Sequence, residues 1–315
     1  MGRITILGTG YIGTSLGLAL KAQKMNVEIV GHDRDYGRAG EAKKLGAVDR
    51  AEWNLPSSLE GAGMVVVATP LGEIPTVFEQ IGQFLAPGCV VTDTASLKSP
   101  VLEWARERLP RHVGYVGGDP IVGLADPDRK PSATLFQDRT YCVIPSAEAP
   151  NTAVDQVIRL AQVVGASPLF LDPVEHDSHM AVVRQLPALV AATLMNLASA
   201  NPSWRDGQRL AGPDFGAATA LAAESPQESR AQLRANRETI VRWIQALQAE
   251  LGEMARRIED ESSDELLKRL EDAQNLRLLW RPGVSPESQE QPPEIPTARQ
   301  QFSTFFLGKF GDRKR

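Results

Sequence analysis

The sequence predicts an α/β domain with a doubly wound parallel sheet, followed by an all-α second domain. Three observations predict it: short Val/Ile-rich runs alternate with longer helical patterns through the first half, those runs are almost wholly apolar, and no strand-like run follows residue 171. Alternating strands and helices give a parallel sheet, and strands covered by helices on both faces need no polar side. With 315 residues, 42% hydrophobic and 23% charged, the chain is long enough for two cores.

The strand candidates are residues 4–7, 27–30, 64–68, 89–92, 114–116, 141–144 and 169–171. The second domain opens with Asp172-Pro173-Val174-Glu175, in which Asp172 is an N-cap, Pro173 takes the first helical position and Glu175 is placed to reach back to the cap. Breaks at Asn201-Pro202, Gly212-Pro213, Ser225-Pro226 and Ser262-Ser263 divide the rest, to about residue 281, into four or more helices. Pro187 implies a kink or two abutting helices around 185–188. Three divisions follow: a sheet domain over 1–171, a helical domain over 172–281, and a Pro-rich linker with a Phe-rich basic tail over 282–315, expected to be disordered. Phe302, Phe305, Phe306 and Phe310 in that tail read as a frayed end or a docked helix, with a membrane or partner anchor as the alternative.

A net charge of −5 offers no basic field for nucleic acid or an anionic membrane. Cys89 and Cys142 lie in apolar runs, which suggests buried thiols in a reducing compartment rather than a disulfide framework. The first residues lack a signal peptide's apolar segment, and no later apolar run approaches the roughly 18 residues of a membrane span. A cytoplasmic location is expected.

The first strand runs straight into Gly8-Thr9-Gly10-Tyr11-Ile12-Gly13, and a helix follows. In a Rossmann-type dinucleotide site the first glycine makes the tight turn, the second admits the pyrophosphate, and the third lets helix and strand pack closely. Asp33 ends the second strand about twenty residues on, where a carboxylate accepts ribose hydroxyls and repels a 2′-phosphate. NAD is therefore expected over NADP, although Arg34 beside it offers a phosphate some compensation. Thr69-Pro70 ends the strand at 64–68 and is expected on the nicotinamide side.

With these residues in place the chain resembles the prephenate and arogenate dehydrogenase family over about residues 3–252. The resemblance lies in the glycine segment through Leu16, in Gly31-His32-Asp33-Arg34, and in Thr69-Pro70 with the helix through Ile74, Val77 and Ile81. It continues in Thr92-Asp93-Thr94-Ala95-Ser96-Leu97-Lys98, in Gly117-Gly118-Asp119-Pro120-Ile121-Val122-Gly123, and in Asp172-Pro173-Val174-Glu175-His176-Asp177. It implies a Rossmann domain followed by a helical dimerisation domain, hence a homodimer, and hydride transfer to NAD with loss of carbon dioxide.

The family's pattern is broken at its polar positions. Asp119 stands where the Gly-Gly-His-Pro histidine holds the substrate's ring hydroxyl. Arg184-Gln185-Leu186-Pro187-Ala188 stands for Ser-His-Leu-Pro-His, and Phe215-Gly216-Ala217-Ala218-Thr219-Ala220 for Phe-Arg-Asp-x-Thr-Arg, whose arginine grips a carboxylate. A positioned acid or base contributes roughly 10²–10⁴ in rate and a charged hydrogen bond about 1.5–3 kcal/mol, so each loss calls for compensation.

Four residues are the catalytic-site candidates: Ser96, Lys98, Asp119 and Arg184. Ser96 orients substrate or the nicotinamide carboxamide. Lys98 belongs to the site or is a solvated residue at a helix start. Asp119 is base or hydroxyl acceptor. Arg184 either anchors a carboxylate bidentately or pairs with Asp119 and seals the site. His176-Asp177 reads as capping and interdomain packing rather than a dyad, because adjacent helical side chains diverge by about 100°. No metal-ligand spacing is present. The expected function is NAD-dependent oxidation of a small carboxylate. A non-catalytic NAD sensor is one alternative. A β-hydroxyacid type dehydrogenase is another, opposed by the absence of lysine over residues 173–200.

Overall fold

The computed structural model describes residues 2–123, 129–260 and 264–280. One eight-stranded sheet organises the first part, in the order β3-β2-β1-β4-β5-β6-β7-β8. In chain order, β1 (Gly2–Leu7), α1 (Tyr11–Ala22), β2 (Val27–His32), α2 (Tyr36–Lys44), β3 (Arg50–Ala51), α3 (Leu55–Leu59) and β4 (Met64–Val67) build one half. Then follow α4 (Ile74–Gly82), β5 (Val90–Asp93), α5 (Ser99–Arg108), β6 (Gly114–Pro120), β7 (Thr140–Pro145), α6 (Asn151–Val163) and β8 (Ser167–Phe170). Neighbouring strands are parallel except β6 and β7.

The apolar strand runs follow from helices on both faces. In β4, Val66 joins Leu16, Leu20, Tyr141 and Val157 in the core beneath α1 and α6, while Val65 and Val67 join Ile74, Phe78 and Val101 beneath α4 and α5. Each such buried side chain contributes about 1.5–3 kcal/mol. Both cysteines are free and buried.

One strand was not expected from the sequence, and one expected strand runs four residues further; the other ends shift by two residues or fewer. Arg50–Ala51 is a strand too short and too polar to announce itself, held by pairing with Val30 and Gly31 at the sheet edge. The strand expected to end at 116 instead runs through Gly117-Gly118-Asp119 to Pro120, because antiparallel β7 supplies a partner where β5 stops. Gly118 serves this close approach: a Cβ there would stand 2.7 Å from both the Asp93 carbonyl oxygen and the Tyr141 hydroxyl. Asp119 therefore projects from a rigid, buried strand.

Helices fill the remainder: α7 (Pro173–Met180), α8 (Leu186–Ser199), α9 (Trp204–Gly207), α10 (Pro213–Thr219), α11 (Pro226–Ala235), α12 (Arg237–Glu259) and α13 (Asp264–Leu279). Asp172 caps α7 through the Val174 and Glu175 amides, at 2.8 and 3.3 Å. A π-helical turn, Ala181–Gln185, joins α7 to α8 and absorbs Pro187, whose ring leaves no amide for an ordinary turn. The resulting helix, Pro173–Ser199, has 27 residues and a most apolar window of mean hydropathy 1.4, so by length and composition it is a span candidate that the sequence reading did not anticipate. Its first half, however, carries buried His176, Asp177 and Gln185.

By compactness the chain forms two units, residues 1–247 and 248–315. In the second, α13 is tied to the end of α12 by ion pairs of Arg257 with Glu265 and of Arg269 with Glu250. Ser262-Ser263 and the expected linker and tail, 282–315, lie outside the described residues.

Candidate active site

The glycine loop sits where β1 meets α1. Gly8 has φ +93°, and a Cβ there would lie 2.5 Å from the Ala68 carbonyl oxygen; a Cβ on Gly13 would lie 1.9 Å from that of Gly8. Above Gly10 there is open space. Gly10 is also the N-cap of α1, no side chain caps that end, and no acidic residue occupies its first turn, Tyr11 and Ile12 included. An uncapped helix start with a glycine cradle suits an anion.

Asp33, 9% exposed, accepts from the Thr9 amide at 2.8 Å and the Asp35 amide at 2.9 Å, so its carboxylate is fixed beside the loop. Arg34 is largely exposed, with its Nη1 2.6 Å from Glu73, a surface ion pair that competes only weakly with a phosphate. At the ends of β4 and β5, the hydroxyls of Thr69 and Ser96 are buried and have no hydrogen-bond partner. Thr69 leads into Pro70 and a 3₁₀ turn. Buried hydroxyls are rarely left unsatisfied without a reason, and two of them at the carboxyl edge of a parallel sheet fit the polar face of a dinucleotide.

Lys98 is not solvated. It is fully buried, donates to Asp93 at 2.5 Å and to the Gly118 carbonyl at 2.6 Å, and so cannot grip a ligand as a free cation. Asp93 is saturated by Lys98, by the Tyr115 hydroxyl at 2.5 Å and by the Ala95 amide at 2.8 Å. Burial, with the Asp93 charge, pushes the Tyr115 phenol well above its ordinary range, which keeps it a donor. This network fixes the backbone immediately before Asp119.

His176 and Asp177, expected to serve capping and interdomain packing, do meet each other, and Asp177 does cap a helix. His176 is 1% exposed and lies between two carboxylates: Nε2 is 3.1 Å from Asp119 and Nδ1 is 3.0 Å from Asp177. Diverging Cβ directions do not forbid an adjacent pair when one side chain turns back along the helix, and Asp177 does so to cap α5, accepting from the amides of Lys98 at 2.7 Å and Ser99 at 2.9 Å. Burial alone would lower the His176 imidazole; hydrogen bonds to Asp119, Asp177 and Cys142 outweigh it and push the group up to about 11. His176 is thus an imidazolium. Burial also raises the Asp119 carboxyl above its ordinary value, against the pull of His176 and Lys98. Asp119 Oδ1 makes no hydrogen bond among the described residues, nor is it shut off from solvent.

Arg184 does not pair with Asp119. Its Nη2 lies 2.5 Å from Glu224, and both line a cavity of about 420 Å³ that Gln185 and Ala188 also face. Hydrogen bonds lead from that wall to Asp119: Asn236 donates to Gln185 at 3.0 Å and to the Asp177 carbonyl at 2.9 Å, and Asp177 meets His176. Among the described residues no group of His, Cys, Asp and Glu is gathered to hold a metal.

Two family models match in sequence along the chain. The nucleotide-binding domain of prephenate dehydrogenase matches residues 16–169, and the dimerization domain of prephenate dehydrogenase matches 172–272. The chain belongs to the prephenate dehydrogenase family. Among its relatives, the prephenate dehydrogenase of Bacillus subtilis (strain 168) is 27% identical over 277 residues, 87% of this chain and 75% of that one. The cyclohexadienyl dehydrogenase of Zymomonas mobilis is 25% identical over 279 residues, covering 87% and 94%. In fold the chain is similar to prephenate dehydrogenase from A. aeolicus in complex with hydroxyphenyl propionate and NAD+, with TM-score 0.80 and 22% identity over 88% of this chain and 97% of that one. Synechocystis arogenate dehydrogenase gives 0.72 and 23%, over 87% and 98%. The first family match begins after the glycine loop, so the reading of that loop rests on its geometry.

Proposed function

We propose that the chain is an NAD-dependent dehydrogenase that oxidises a ring-bearing carboxylate of the prephenate or arogenate kind, with Asp119 as the base. The observation that carries this is Asp119 itself: a buried carboxylate of raised pKa, held through one oxygen by His176, with no hydrogen bond to the other oxygen among the described residues. NAD, when bound, supplies the hydride acceptor. Asp119 takes the hydroxyl proton as the carbonyl forms, while Ser96 and Thr69 orient the polar groups near them and the glycine loop holds the phosphates. The neighbouring imidazolium offsets the negative charge that Asp119 sets before an anionic substrate. The sheet over 1–171 is read as the cofactor domain and the helices of 172–281 as the substrate and dimer domain of a cytoplasmic homodimer. Support for the dimer comes from the dimerization-domain match and from exposed Val190, Leu194 and Leu197 on α8.

The test is NADH absorbance with prephenate and with arogenate, alongside calorimetry of NAD. Micromolar NAD binding without turnover of either compound overturns the enzymatic reading. A second result checks the cofactor site: Asp33→Asn weakens NAD about 10-fold, one charge-assisted hydrogen bond, while NADP weakens less or not at all. Equal losses for both cofactors would remove Asp33 from ribose recognition.

A further inference from the structure

The 420 Å³ cavity beside the Asp119 network is walled by apolar side chains, among them Leu189, Leu221 and Leu233, and by four arginines: Arg184, Arg230, Arg234 and Arg237. One carboxylate, Glu224, lines it, and that is committed to Arg184. Arg230, Arg234 and Arg237 have no ion-pair or hydrogen-bond partner for their side chains among the described residues. Arg230 and Arg234 are one turn apart on α11, so their side chains lie on one face. That helix is held against the end of β4: Glu228 accepts from the Leu71 amide at 3.1 Å, and Ala231 lies 3.8 Å from where a Cβ on Gly72 would be. The arginines are therefore carried on the element that abuts Thr69-Pro70-Leu71.

We infer that Arg230 and Arg234, with Arg237 beside them, form a carboxylate-binding wall that selects a dianionic ring dicarboxylate over its zwitterionic amino-acid counterpart. This rests on the proposed dehydrogenase reading and names its substrate class. The cavity has the size of a small-molecule site, with apolar walls for a ring and guanidiniums for carboxylates. A substrate bearing an ammonium group finds no unpaired carboxylate on this wall and meets three unpaired cations instead. The same wall accounts for Gly216 and Ala220, which stand where the resemblance expects arginines: the cationic function has moved to α11.

The experiment compares wild type with Arg230→Gln, Arg234→Gln and the double variant, in the full chain. It measures kcat/KM for prephenate and arogenate, and binding of trans-1,4-cyclohexanedicarboxylate by calorimetry; NAD affinity reports the fold. Each arginine lost lowers kcat/KM for the dianion about 10-fold or more, and the double variant about 100-fold, with arogenate affected far less. Equal effects on both substrates, or no effect in the double variant, overturn the inference. If wild type turns over neither substrate, the dicarboxylate decides: binding that the double variant loses supports the anion wall while the dehydrogenase reading falls, and no binding by wild type overturns both.

Discussion

Asp119→Asn lowers kcat/KM by about 10²–10⁴ and leaves the affinity for NAD unchanged. The magnitude is that of a positioned acid or base. The separation of effects follows from place: Asp119 stands near the end of β6, whereas the glycine loop joins β1 to α1. Asparagine keeps the size and can still accept from His176 Nε2, so the fold survives and the change reads chemistry. If kcat/KM falls less than about 3-fold, Asp119 is not the base and the proton leaves by another route. A fall in NAD affinity of the same size as the fall in rate would instead mark Asp119 as structural.

The pair also sets a pH dependence of stability. In the folded chain His176 is raised to about 11, from an ordinary value of 6.5. A group raised on folding stabilises fully below its unfolded pKa, and that contribution fades as pH rises through the folded value. The denaturant midpoint therefore declines from about pH 6.5 toward 11, and His176→Gln flattens the slope. Asp119, also raised, acts in the same sense, its contribution fading as pH climbs above the ordinary carboxylate range, so neither group stabilises the fold at alkaline pH. A wild-type midpoint that is flat over that range would mean His176 is neutral in the folded chain.

Much of this was legible in the sequence where one local rule decides. The glycine spacing, the apolar strand runs and the Asp172-Pro173 helix start each follow from neighbouring residues alone. What escaped depends on pairings across long stretches of chain. His176 meets Asp119 57 positions away, and Glu224 meets Arg184 across 40. Nothing local marks the exposed Arg230 and Arg234 as lining a cavity, since charges on a polar helix ordinarily meet only solvent. The Gly117-Gly118 extension of β6 was hidden because glycine disfavours strands except where another chain segment comes close. Lys98 misled for the same reason: lysine is almost never fully buried unless paired, and its partner Asp93 was in view but without geometry.

Lys98→Met destabilises the chain by about 3–5 kcal/mol, the cost of leaving a buried partner charge uncompensated. Methionine nearly fills the volume of the lysine stem, so the loss reports the charge rather than a cavity. Tm falls by roughly 10 °C on the scale of a few degrees per kcal/mol for a domain of this size. The Tyr115 hydroxyl and the Ala95 amide still donate to Asp93, but two neutral donors do not replace an ammonium at 2.5 Å. Adding Asp93→Asn removes the stranded carboxylate, and the double variant recovers more than half of the lost stability. Activity does not recover with it. Lys98 also holds the Gly118 carbonyl, and with that contact gone the backbone before Asp119 is free to shift, so kcat stays low in the double variant while the Kd for NAD returns to that of wild type. Recovery of kcat together with stability would show that Lys98 only balances charge and plays no part in placing Asp119.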